Sequence, residues 1–372
     1  MTVASIAQPR AERAPPLDGS IWPQLVTALE ANAPPQARST ASGVGQNLAF
    51  VGREDLIVYD IPQVPPRKVC NALMRDDNPV DPVAYIAEAS RASRVVMINE
   101  AHAEPLTRHF ISTVSDALRP LGYAAYAAET FAPSVGQNDV AVPLLSDGYY
   151  SREPIYGRLV RHLRELNYRL LPYEADVSAI VSKYPPTEVP KQRMIEQAEN
   201  LLSLVQRASS KVLVHAGQGN LSEYSGPDRA KAMGANFAEM SGINPLTVEI
   251  TTKASPGDKP VVCDPAAFAG EAHRYDIFIG LPKLAFENHR PRWRLEAGDF
   301  YAEIPEKLMR PKQFAIYEAR PLGEYTNTTP TDRLLLRPGE RLPLLLPPGT
   351  YSVSVWTERE GWSSAISLSV VR

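Results

Sequence analysis

The feature that most constrains this chain is an alternation, between residues 94 and 250, of short apolar runs with longer stretches of helical periodicity. Arg94-Val95-Val96-Met97-Ile98 is apolar and rich in β-branched residues, as suits a strand covered on both faces. After Pro105, a good first-turn residue, Leu106, Phe110, Val114 and Leu118 recur at helical spacing until Pro120-Leu121-Gly122 stops the pattern. Residues 123–128 read as a second strand. A helix with the apolar face Ile155, Leu159, Leu163 and Leu166 leads to a third strand over residues 168–173. Helices over roughly 191–208 and 228–240 precede a fourth strand at 211–214 and a fifth at 246–250. The pattern predicts an α/β fold, a mainly parallel sheet with flanking helices and right-handed crossovers. It does not encode the order of the strands.

Polar residues fall where these strands end. Glu100 and His102 follow the first, Glu129 the second and Glu174 the third, and the fourth runs into His215-Ala216-Gly217-Gln218-Gly219-Asn220. Open parallel sheets bind ligands beyond the carboxyl ends of their strands. One acid in such a place reads equally as a helix cap, and one histidine as a satisfied structural residue. Three acids and two histidines at the same end of successive strands predict a shared pocket. Three carboxylates cannot sit there ionised and unpaired. The outcomes are a shared proton, a salt bridge to Arg108 or Arg152, or a bound cation. A shared proton suits general-base chemistry, with His102 taking a proton from water that a carboxylate orients. A cation on Glu100, His102 and Glu129 would activate water directly. No Ser or Cys occupies a nucleophile elbow, so water is the expected nucleophile.

The 372 residues are 44% hydrophobic and 22% charged, enough for two domains or one with an appendage. A net charge of -3 gives no basic footprint for nucleic acid. No apolar stretch is long enough to span a bilayer, and residues 1–10 lack a basic segment followed by an apolar core, so a cytoplasmic protein is expected. The two cysteines, Cys70 and Cys263, are far apart and lack metal spacing, which favours free thiols in a reducing compartment.

Thirty-five prolines mark the boundaries. Residues 1–45 are rich in Ala, Pro, Ser and Gln and predict a mobile segment with at most a docking helix at 21–29; a strand is expected at 56–62. An α/β domain is assigned to 46–262. Residues 263–372 read as a small β-sandwich-like module with strands near 275–281, 314–317, 334–336, 351–356 and 366–371. Its aromatics, Trp293, Trp356, Trp362, Tyr301, Tyr317 and Tyr351, read first as core and alternatively as a surface for polysaccharide or a partner chain. The module is expected to pack on the α/β domain or to pair two subunits of a homo-oligomer.

Ile98-Asn99-Glu100-Ala101-His102-Ala103-Glu104-Pro105-Leu106-Thr107-Arg108 resembles the Gly-Glu-x-His, Pro and Arg signature of the superfamily of erythromycin esterases, ChaN-like haem-uptake lipoproteins and Tiki/TraB proteases, with Asn99 where many members have Gly. Glu129 resembles the family's second-strand glutamate. Gly148-Tyr149-Tyr150-Ser151-Arg152-Glu153-Pro154, Tyr173-Glu174 and the 215–220 segment resemble later blocks, so the resemblance covers residues 67–262. Where the late motif usually ends in His, this chain has Asn220, which cannot shuttle a proton.

The resemblance implies a hydrolase acting on an ester or related acyl bond of a small molecule, with Glu100, His102, Glu129 and Glu174 as catalytic candidates and Arg108, Arg152, Tyr150, His215 and Asn220 as substrate contacts. It is acid–base driven in the manner of the esterases, or dependent on a divalent metal in the manner of the Tiki proteases. The alternative it implies is a non-catalytic protein that binds haem or another iron ligand, with the Tyr149-Tyr150 pair and His109 as candidate ligands.

Overall fold

The computed structural model describes residues 15–17, 20–30, 35–40, 42–59, 66–136, 142–224, 231–268, 271 and 274–371. Its centre is an eight-stranded sheet. The strands run in the order Arg169–Pro172, Tyr123–Ala128, Lys211–Gly217, Val95–Glu100, Leu246–Ala254, Ile277–Leu281, Val261–Val262. Lys68–Val69 pairs in parallel with Leu246–Ala254. Only Val261–Val262 is antiparallel to its neighbour. The α/β class expected from the alternation is therefore what folds.

The order places the site. From Val95–Glu100 the chain crosses to Tyr123–Ala128 on one side, through the helix Pro105–Leu118. From the adjacent Lys211–Gly217 it crosses to Leu246–Ala254 on the other side, through the helix Met233–Ser241. The two central strands thus send their connections apart, and the crevice between them at their carboxyl ends is where such sheets bind ligands. Glu100 lies beside Gly217 in the register of this pair.

Each face of the sheet has its own apolar layer. Phe110, Ile111, Val114 and Leu118 of Pro105–Leu118 and Tyr156, Leu159 and Leu163 of the helix Pro154–Glu165 cover one face. Ala198, Leu201 and Val205 of the helix Val189–Arg207 and Phe237 of Met233–Ser241 cover the other. Apolar positions recurring every three or four residues put each helix's stripe against the sheet. The start of the helix expected over 228–240 lies outside the described residues.

Two boundaries differ from the sequence reading. Ile277–Leu281, assigned above to the C-terminal module, lies inside the large sheet, so the α/β part extends past 262. A five-residue apolar strand looks the same in either setting, and only pairing distinguishes them. Residues 56–59 form no strand, and 60–62 lie outside the described residues: Glu54–Leu56 is a helical turn, Val58 makes a single bridge to Ser39, and Ile57 is buried. The docking helix read at 21–29 is present as Ile21–Glu30, with Trp22, Leu25 and Ala28 buried. The first fourteen residues lie outside the described residues.

The C-terminal module is a five-stranded antiparallel sheet in which Ala315–Pro321 lies between Asp332–Leu336 and Gly349–Thr357. Gly361–Trp362 and Ile366–Val370 both pair with the free edge of Gly349–Thr357. The last strand is thus paired on one side only. One face packs on the ribbon Phe300–Ala302 with Leu344–Leu346, burying Tyr317, Val353 and Val355. The other face is covered by the N-terminal helices, where Trp22 meets Trp356 edge-on at 4.8 Å. Tyr317, Tyr351 and Trp356 are core, as read first from the sequence.

The module is docked on the α/β part. Arg158 holds Asp299 at 2.8 Å and 3.0 Å, and Arg161 holds Glu324 at 2.6 Å. Gly157 gives the close approach: a Cβ there would lie 2.5 Å from the Thr329 methyl. Buried Asp332 accepts from Arg290 and Arg294, and Arg294 also pairs with Asp299 at 2.8 Å, which gives the two arginines two carboxylates.

Cys70 and Cys263 form a disulfide across 193 residues of sequence, correcting the expectation of free thiols. Each follows a short edge segment of the same sheet, and Ala72 bridges to Cys263, so topology joins what spacing keeps apart. The thiol count therefore no longer argues for a reducing compartment. Among the described residues no helix is long and apolar enough to cross a membrane.

Candidate functional site

Glu100 is the last residue of a strand that is buried along its whole length. Its side chain is almost wholly enclosed, and three polar side chains meet it. Arg108 donates from Nε to Oε2 at 2.7 Å and from Nη2 to Oε1 at 3.1 Å. His102 Nδ1 lies 2.8 Å from Oε1. His215 Nε2 lies 3.0 Å from Oε2 but out of line for a hydrogen bond. Burial alone would raise this carboxyl's pKa. The Arg108 charge, helped by the two histidines, outweighs burial and holds it well below the usual carboxylate range. Glu100 is a fixed anion, unsuited to take up a proton near neutral pH.

Arg108 comes from the first turn of Pro105–Leu118, which directly follows the Glu100 elbow. Its Nη1 donates to Glu153 Oε2 at 2.9 Å. Glu153 also N-caps the helix Pro154–Glu165, accepting from the Ile155 and Tyr156 amides at 2.8 Å. Burial would lower the Arg108 pKa, but Glu100 and Glu153 raise it beyond the normal range. Arg108 is fully buried and saturated, so it positions the site and is not placed to receive a substrate.

The His102 ring is fixed from three directions. Nδ1 faces ionised Glu100, so this nitrogen carries the ring proton and Nε2 is the free base in the neutral ring. Tyr150 stacks on the ring at 3.9 Å with 11° between planes. Gly217 provides room opposite: a Cβ there would lie 2.8 Å from His102 Nε2 and 3.1 Å from Glu129 Oε2. His102 also lines a cavity of about 860 Å³.

Glu129 and Glu174 belong to an adjoining cluster. Arg193 joins them, at 2.5 Å to Glu129 Oε1 and 2.6 Å to Glu174 Oε2, and Gln197 donates to Glu174 at 2.8 Å. The Gly217 amide donates to Glu129 Oε2 at 2.6 Å, so this cluster touches the His102 group through one glycine. Burial would lower the Arg193 pKa, but its two carboxylates raise it.

The remaining candidates divide. His215 lies beneath the site, its Nδ1 2.6 Å from the Tyr126 hydroxyl and 3.2 Å from that of Tyr156. Burial pushes both tyrosines well above their usual pKa, so they stay neutral. Arg152 is exposed and donates to the Leu145 carbonyl at 2.9 Å, outside the site. Asn220 lines a second cavity of about 290 Å³, which shares Gln218 with the first. Sequence reasoning missed Arg193, Glu153, Tyr126 and Tyr156. Of these only Glu153 carried a signal, as an acid directly before a first-turn proline.

Among the described residues no group of three or more His, Cys, Asp or Glu could hold a metal ion. The donor set explains this: both Glu100 oxygens are taken by Arg108 and His102, and Glu129 by Arg193 and an amide. A cation on Glu100, His102 and Glu129 does not fit. Of the candidate haem ligands, Tyr149 packs on Phe50, Tyr150 on His102, and His109 stacks on Trp293 at 5.0 Å.

No known family model matches the chain, and no curated protein does. Solved structures similar to it include ChaN of Campylobacter jejuni with cofacial haem, at 11% identity and a TM-score of 0.39, covering 56% of this chain and 94% of that one. The type III effector HopBA1 is 13% identical with a TM-score of 0.38, covering 57% and 98%. RRSP, a toxin effector domain from Vibrio vulnificus, is 14% identical with a TM-score of 0.35, covering 46% and 36%.

Proposed function

We propose that the chain is a hydrolase that cleaves an ester or related acyl bond of a small molecule, with His102 as general base and Glu100 as its orienting anion. One observation carries the reading: His102 gives Nδ1 to a carboxylate that two arginine hydrogen bonds already fix, which leaves Nε2 as the base of a ring that lines a cavity. Water at Nε2 loses a proton to His102 as its oxygen attacks the acyl carbon. The acyl–oxygen bond breaks, and the imidazolium returns the proton to the departing alkoxide, giving acid and alcohol. Glu129 and Glu174 act by fixing Arg193, and Glu129 also holds the Gly217 amide.

The test is turnover of a panel of small acyl esters. His102→Ala is expected to lower kcat/KM about 10²–10⁴-fold, and Glu100→Gln by a comparable factor, with the His102→Ala protein still folded. Equal turnover by the wild type and both variants would remove the assignment.

A further inference from the structure

If the substrate carries an anionic group, neither arginine expected to bind it can do so: Arg108 is buried and saturated, and Arg152 points elsewhere. The cavity itself offers other cations. Lys68 and Lys253 are partners in the register of Lys68–Val69 with Leu246–Ala254, and Gly280 of the next strand also pairs with Lys253, which brings the Leu281–Leu284 segment and Lys283 to the same end of the sheet.

The lining charges do not cancel. Arg67 is paired with Glu104 at 2.6 Å, and Lys253 with Glu271 at 3.0 Å. Lys253 Nζ also sits 4.2 Å from the centre of the Phe268 ring. Lys68 and Lys283 also line the cavity, and neither has an ion-pair partner among the described residues. Two further lining residues, Tyr59 and Thr252, carry buried hydroxyls with no hydrogen-bond partner among the described residues. A buried donor without a partner is unfavourable, and an anionic acceptor would satisfy it. Burial and the Glu104 and Glu54 charges push the Tyr59 phenol well above its usual pKa, so it remains a donor.

We propose that this wall is an anion subsite, in which Lys68 and Lys283 supply charge and Tyr59 and Thr252 supply hydroxyl donors to a carboxylate or phosphate of the ligand. Resting on the hydrolase reading, it makes the substrate an acyl ester with a negatively charged substituent. Charge attracts the group into the cleft, and the hydroxyls discriminate it from a neutral isostere.

The experiment has a binding arm and a turnover arm. Titration calorimetry of the full chain with inorganic phosphate and, separately, with succinate is expected to show saturable binding of at least one. Lys68→Ala/Lys283→Ala, two exposed positions, should weaken it about tenfold or more. Tyr59→Phe and Thr252→Val should each weaken it by a smaller factor, while His102→Ala binds as the wild type does. Phosphate alone binding, or succinate alone, assigns the group. No binding of either at millimolar concentration, or equal binding by the double variant, overturns the subsite. In the turnover arm, an ester bearing a carboxylate should show a KM about tenfold below that of its methylated analogue, and the double variant should erase the difference. Equal KM for both esters in the wild type overturns the subsite and leaves the hydrolase reading standing. Intact anion binding with no ester turned over removes the hydrolase reading and leaves the subsite standing.

Discussion

Arg108 holds Glu100 by two hydrogen bonds, of 2.7 Å and 3.1 Å, and so makes a fixed anion of an acid for which the sequence leaves a shared proton, a salt bridge or a cation open. Removing one member of a buried ion pair leaves the other uncompensated, at a cost of about 3–5 kcal/mol. Arg108→Met should lower the free energy of unfolding by that amount in a urea titration, with both Glu100 and Glu153 left without their shared cation. An unchanged urea midpoint would mean that the carboxylates are compensated elsewhere.

Gly217 is the position at which packing and chemistry meet. Its backbone conformation is open to other residues, but a Cβ would press on the His102 ring and on Glu129. Gly217→Ala should therefore displace His102 from its place against Tyr150 and cut turnover at least tenfold, while the thermal midpoint falls only slightly. Full activity in this variant would show that the ring has slack that the geometry denies.

Glu54 gives the fold a pH dependence of known sign. Burial, opposed by Arg290 and Arg294, pushes its carboxyl from the ordinary value of 4.5 up to about 7. Folding thus favours the protonated form. The stability this contributes is full below about pH 4.5 and is lost as pH rises through about 7, a change on the order of 3 kcal/mol. Urea midpoints between pH 5 and 8 should fall less steeply in Glu54→Gln than in the wild type. Identical slopes would exclude Glu54 as the source.

The disulfide is checked by counting thiols. The denatured, unreduced chain should show no reactive thiol, and reduction should expose two and cost about 2–4 kcal/mol of stability. Two free thiols before reduction would contradict the pairing.

How much was legible in the sequence follows from what each signal depends on. Strands and helices were readable because burial on both faces of a sheet demands continuous apolar runs, and helix packing demands a stripe. Glu100 and His102 were readable because strand ends of such sheets hold ligands. Their roles were not, since Arg108 as a clamp and Arg193 as a bridge depend on how helices return over the sheet. The Cys70–Cys263 pairing and the place of Ile277–Leu281 depend on strand order, which periodicity does not carry.

The central claim is that Glu100 fixes the His102 ring so that Nε2 is the free base. Nitrogen-edited NMR of the imidazole side chains measures it directly. The account predicts a neutral ring protonated at Nδ1, with the proton shared toward Glu100, and loss of that signature in Glu100→Gln. A neutral ring protonated at Nε2, unaffected by Glu100→Gln, would contradict it.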